Sequence, residues 1–202
     1  KGADQDSRIG PDRMIQKGAL LEKDILNGIY LILFCALCVG IYLVSIGGVP
    51  ILFIGLSSFI FSYLYTATRF SIAYNGLGEI FVFLYFGIIA SVGTFYLQTL
   101  EYRYELFLIG VITGCLNINL LVINNIRDFL SDKASKKNTL IVKFGILFGK
   151  IEFIVMIIVS YVFLYIFSEY QNNLIIFYRT MLISPLAIYI IFKIIKDQSF
   201  IN

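Results

Sequence analysis

LFLIGVITGCLNINLLVINNIRDFLSDKASKKNTL, Leu106 to Leu140, decides the fold. From Leu106 to Ile123 no side chain is charged, a stretch close to the roughly 20 apolar residues that cross a bilayer as a helix. In hydrocarbon every backbone N–H and C=O must be paired within its own segment or in a closed barrel, and this run shows no strand alternation, so it is predicted to be a helix. The segment that follows it, from Asn124 on, is crowded with amides, acids and lysines.

Outward from this stretch the pattern repeats. Candidate spans are Ile25 to Ile46, Pro50 to Tyr65, Ile80 to Leu97, Leu106 to Ile123, Phe153 to Phe167 and Leu174 to Ile195. Composition agrees: 59% of the residues are hydrophobic and 14% charged, whereas a soluble domain carries about 25% charged residues. The expected fold is all-α, a polytopic transmembrane helical bundle of about six spans. It forms a single domain over 1–202, with polar segments at about 1–24 and 124–150. The chain begins at Lys1 in a polar stretch without a leader of signal-peptide type, and it reads as a piece incomplete at both ends.

Charge gives the orientation. Fourteen of the sixteen Lys and Arg fall on one face of this topology and only Arg103 and Arg179 on the other, which assigns the crowded face to the cytoplasm of a multi-pass protein in the cell membrane. Such a distribution gives no footprint for nucleic acid; the expected surroundings are membrane lipid. Histidine is absent, which excludes imidazole ligands and His-activated nucleophiles. Cys35 and Cys38 have CxxC spacing but lie in an apolar run, as does Cys115, where a thiol behaves as a small hydrophobe.

Chemistry therefore rests on carboxylates, amides, cations and aromatics. Asp128 and Asp132 stand four apart, on one face of a helix. Like charges at that spacing repel mildly, and a divalent ion reverses the sign of the interaction. Magnesium takes one or two carboxylates and completes its shell with water and phosphate oxygens, so the pair reads either as its ligands or as acids balancing Lys133, Lys136 and Lys137 in a solvated loop. Asn117, Asn119, Asn124 and Asn125 either serve that site or bond from helix to helix. Arg127 and Lys137 are either cations that clamp phosphate oxygens or ordinary positive-inside charges. Gly110 and Gly114 have the GxxxG spacing that allows a neighbouring helix to come close. At the amino end, KGADQDSRIGPDRMIQKG adds Asp4, Asp6, Arg8, Asp12, Arg13 and Lys17 on the same face.

KGADQDSRIGP with IQKG, then YNGLGE at Tyr74 to Glu79, then LNINLLVINNIRD with Asp132 and NTL, resembles the UbiA superfamily of intramembrane aromatic prenyltransferases, over nearly the whole chain. Within it the motif variants are most similar to the branch that prenylates dihydroxynaphthoate in menaquinone synthesis. The resemblance implies a bundle of about nine spans, six of them here, with two Asp-rich motifs binding magnesium diphosphate at the cytoplasmic rim. Asp128 and Asp132 match the second motif. Asp4 matches the last acid of the first, whose earlier residues would lie upstream of Lys1. Departures fall at Ala67 to Phe70, where the family has glycine and proline, and at Lys136, Lys137 and Asn138, where it has Gly-Lys before Thr-Leu.

The implied reaction transfers a polyprenyl group from polyprenyl diphosphate to 1,4-dihydroxy-2-naphthoate with decarboxylation, giving demethylmenaquinone, with Mg2+ as cofactor. Implied metal ligands are Asp4, Asp128 and Asp132. Diphosphate binding falls to Arg8, Lys17, Asn124, Asn125, Arg127 and Lys137, and catalysis to Tyr65, Tyr74 and Glu79. Tyr63, Tyr65 and Tyr74 either shield an allylic cation or anchor the chain at the interface. Glu79 either answers the positive end of its helix or orients a group in the site. The alternatives are another aromatic acceptor, a chain that keeps the fold without activity, or a secondary transporter. A transporter commonly holds ionisable groups near the midplane, whereas here they cluster at span ends.

Overall fold

Within hydrocarbon a chain has only itself for backbone pairing, and the computed structural model, which describes residues 21–66 and 71–196, meets that demand with helices and, among the described residues, no strand. In chain order they are α1 (Glu22–Thr66), a 3-10 turn (Ile72–Tyr74), α2 (Gly78–Val82), a π-helical turn (Phe83–Ile89), α3 (Ala90–Thr99), α4 (Tyr104–Arg127), α5 (Phe129–Ala134), α6 (Leu140–Phe144), α7 (Ile146–Tyr170), α8 (Ile175–Met181) and α9 (Ser184–Lys196). Counting α2, the π turn and α3 as one rod, four helices among the described residues are long and apolar enough to cross a membrane. The bent pair α8–α9 makes a fifth. Gly48, at φ 62° and ψ −146°, kinks α1 between 22–47 and 49–66, the two stretches expected as the first and second spans.

The first two spans are joined without a polar loop: Gly48 takes a backbone conformation closed to other residues and Pro50 restarts the helix two residues later. Two expectations need correction, on the fifth span and the last. The fifth span starts at Ile146, not Phe153, so Lys150 is no loop charge. It is buried in α7, where its Nζ donates to the carbonyl of Ile195 at 3.0 Å, a cation on the negative end of α9. The last span is broken, with α8 and α9 inclined by 45°. Pro185, at the start of α9, has no N–H to continue the ladder from α8.

α4 is the hub, packed against α7 on one side and the π turn on the other. Gly87 in that turn meets the Gly110–Gly114 stripe so closely that a Cβ on it would lie 2.5 Å from the Cα of Gly114. Close approach is what association in lipid requires, because apolar side chains gain little there by leaving lipid for protein. Towards α7 the core comprises Ile118, Val122 and Ile126 of α4 with Ile141 and Phe153. α1 instead exposes large side chains such as Leu31, Phe34 and Phe53, the apolar surface of a membrane span.

Contacts between connections sort the ends of the bundle. The rings of Tyr104 and Tyr170 lie 5.6 Å apart, which puts Arg103 and α8 with Arg179 at one end. At the other end the backbone N–H of Asn138 donates to the carbonyl of Tyr74 at 2.8 Å, and Lys143 Nζ to that of Asn75 at 3.0 Å. Gly76 permits this junction: its φ is +75°, and a Cβ would sit 2.9 Å from the Asn138 carbonyl oxygen. The YNGLGE turn and the DxxxD segment, far apart in sequence, are thereby laced together.

Candidate active site

α4 ends at Arg127, and Asp128 serves as both its C-cap and the entry to α5. The backbone N–H of Asp132 donates to the carbonyl of Asp128 at 2.8 Å, so one helical turn carries across the junction and preserves the four-residue spacing. Arg127 grips Asp128 with both prongs, Nε to Oδ1 at 2.8 Å and Nη2 to Oδ2 at 2.9 Å. Asp132 is buried, 3% exposed, and a carboxylate there needs a partner; Lys137 Nζ donates to its Oδ1. The same ammonium lies 5.2 Å from the centroid of the Tyr74 ring, a cation–π contact. Both acids and both cations singled out in this stretch thus converge with Tyr74 at one rim.

Behind the rim, Glu79 occupies the first turn of α2 and is 5% exposed. Its Oε1 accepts a hydrogen bond from Asn125 Nδ2 of α4 at 3.1 Å. Asn117 Nδ2 donates to the carbonyl of Phe86, in the π turn, at 3.1 Å. For these two asparagines the structure therefore contains helix-to-helix bonds. Asn124 is exposed at the end of α4, and Asn119 is buried with its Oδ1 unpartnered. Tyr65 lines a cavity of about 640 Å³ between α1 and α2, with Phe61, Phe81 and Tyr85, while Tyr63 is 65% exposed and not in that lining. A second, almost wholly apolar cavity of about 420 Å³ lies between α4, α7 and α9, lined by Leu116, Leu120, Ile157 and Ile190 among others. Asp4, Arg8, Lys17 and the departure at Ala67 to Phe70 lie outside the described residues.

Residues 2–200 match the UbiA prenyltransferase family. The chain belongs to that family. A 1,4-dihydroxy-2-naphthoate octaprenyltransferase of Haemophilus influenzae is 34% identical over 166 residues, 79% of this chain and 54% of that protein. Its counterpart in Mycobacterium leprae is 32% identical over 145 residues, 72% of this chain and 49% of that protein. A UbiA prenyltransferase domain-containing protein 1 of Dictyostelium discoideum is 33% identical over 145 residues, 66% and 42% respectively. This UbiA chain spans about half the length of the relatives it matches. No solved structure matches it.

Among the described residues no group of three or more His, Cys, Asp or Glu side chains forms a ready-made metal cage. The donors at the rim nevertheless fit magnesium, which needs only one or two carboxylates when water and phosphate supply the remaining oxygens. One acid went unnoticed in the sequence. Glu152 of α7 lies within electrostatic range of Glu79, and its Oε2 is buried without a hydrogen-bond partner. Placing the span's start at Phe153 hid it, since Glu152 then read as a loop acid and not as a carboxylate seven residues into α7.

Proposed function

We propose that the protein transfers a polyprenyl group from polyprenyl diphosphate to 1,4-dihydroxy-2-naphthoate, with loss of carbon dioxide, as a magnesium-dependent step towards demethylmenaquinone. The single observation that carries the proposal is the rim itself. Asp128, Asp132, Arg127, Lys137 and Tyr74 meet at one end of an apolar bundle, in a UbiA chain whose relatives include dihydroxynaphthoate octaprenyltransferases.

Asp128 and Asp132 would hold the metal, which supplies positive charge to the departing diphosphate. Arg127 and Lys137 donate to diphosphate oxygens, with Asn124 beside them and, from the segment outside the described residues, Arg8 and Lys17; Asp4 joins the metal ligands. The bond from the allylic carbon to the diphosphate oxygen breaks with its electron pair on oxygen. A ring carbon of the acceptor supplies the pair for the new C–C bond, and the carboxylate leaves as carbon dioxide. Tyr65 and Tyr74 turn ring faces to the positive charge that develops on the allylic carbon. Glu79, bonded to Asn125, acts through α4 as a positioning residue and not on the reacting atoms. The prenyl tail lies along the apolar cavities, and the rim faces the cytoplasm, a reading the Lys and Arg bias supports.

The test is magnesium-dependent diphosphate release by the purified protein in detergent, given a polyprenyl diphosphate and dihydroxynaphthoate. Release that needs both substrates and disappears in Asp128→Ala and Asp132→Ala supports the proposal. Release with a different aromatic acceptor alone reassigns the acceptor; none with any acceptor rejects the reaction.

A further inference from the structure

The two rim cations occupy the very oxygens a metal ion would need. Arg127 engages both oxygens of Asp128, and Lys137 holds Asp132. Arg127 is also within electrostatic range of Asp132, so among the described residues these two acids and two cations form one cluster. We propose that Arg127 and Lys137 are exchangeable counter-ions. Each neutralises its aspartate until a metal ion and a diphosphate arrive together, then releases the carboxylate to the metal and turns to a diphosphate oxygen.

Three features support the exchange. The first is charge. Among the described residues each aspartate already has its cation, so a divalent ion alone adds a surplus of positive charge beside displaced cations, in surroundings where charges interact more strongly than in water. A diphosphate ester brings about three negative charges and removes the surplus, so metal and diphosphate load cooperatively and each alone binds poorly. The second is access: the Arg127 and Lys137 side chains are 31% and 26% exposed, open enough to swing, whereas the Asp132 side chain is 5% exposed and fixed. The third is a waiting position. The Tyr74 ring under the Lys137 ammonium lets the cation leave Asp132 without leaving the rim. Tyr74 is itself fixed through its carbonyl to Asn138, the residue after Lys137.

This inference rests on the diphosphate-binding reading of the rim, and its test separates the two. Mn2+ binding to the purified protein in detergent is measured by the electron paramagnetic resonance signal of free Mn2+, with and without inorganic diphosphate. Wild type is expected to bind Mn2+ weakly alone and markedly better with diphosphate. Arg127→Gln and Lys137→Gln should bind Mn2+ alone up to about fivefold more tightly, the scale of a partly exposed ion pair, while losing much of the enhancement by diphosphate. Lys137→Arg, which keeps the charge, should still bind Mn2+ alone only weakly, and unchanged thermal melts verify that the variants fold. Mn2+ binding alone that stays the same or weakens in both glutamine variants overturns the exchange even if wild type responds to diphosphate. Absence of any diphosphate response in wild type overturns the diphosphate reading and the exchange with it.

Discussion

Removing the Asn125 side chain provides a quantitative test of the arrangement behind the rim. Asn125→Ala takes away the 3.1 Å bond to Glu79 Oε1 and leaves that oxygen in a residue 5% exposed. A hydrogen bond to a charged group contributes about 1.5–3 kcal/mol in proteins generally. Within bilayers interhelical hydrogen bonds average about 0.6 kcal/mol and reach about 1.7, because the unfolded chain in lipid finds partners too. A carboxylate acceptor belongs at the upper end, so coupling between the two positions should be about 1–2 kcal/mol. At about 2–4 °C per kcal/mol for a chain of this size, Asn125→Ala should lower the melting temperature in detergent by about 2–8 °C. The decisive assay is a double-mutant cycle with Glu79→Ala. If Asn125→Ala costs the same with and without Glu79, coupling below about 0.5 kcal/mol, the bond does not tie α2 to α4 and the positioning role of Glu79 falls.

Other outcomes follow from the same geometry. Gly87→Ala forces a Cβ to within 2.5 Å of Gly114 and should cost about 1–3 kcal/mol or more by thermal unfolding, whereas Gly28→Ala, with nothing within 4 Å, should be neutral or slightly stabilising. Asn117→Leu removes the bond to the Phe86 carbonyl; a loss of about 0.6–1.7 kcal/mol is expected, and none at all would mean that this carbonyl is satisfied elsewhere. Asp132→Asn should reduce diphosphate release at least ~100-fold while the helical content seen by circular dichroism is retained.

Composition and the length of the apolar runs were enough to read an all-α membrane bundle, because hydrocarbon offers the backbone no partner but itself. The apolar runs that form the candidate spans were legible for the same reason. Their continuity was not: whether Gly48 ends a helix or bends it, and whether Pro185 splits the last span, depends on where the next stretch packs. At the site, the spacing of Asp128 and Asp132 already put both on one turn, since helical geometry is local. Which amide meets which partner could not be read that way. Asn117, Asn119, Asn124 and Asn125 are the same residue type within one helical segment, yet one bonds a π-turn carbonyl, one a buried carboxylate, one faces outward and one buries a side-chain oxygen without a partner. Glu152, Lys143 and Lys150 find their neighbours 73, 68 and 45 positions away. The sequence by itself determined the helices, their crossings and the acids at their ends, all fixed by local periodicity and the solvent. Tertiary structure alone decided the pairings at the rim, because they depend on which faces of α2, α4 and α7 the glycine contacts and the core bring together.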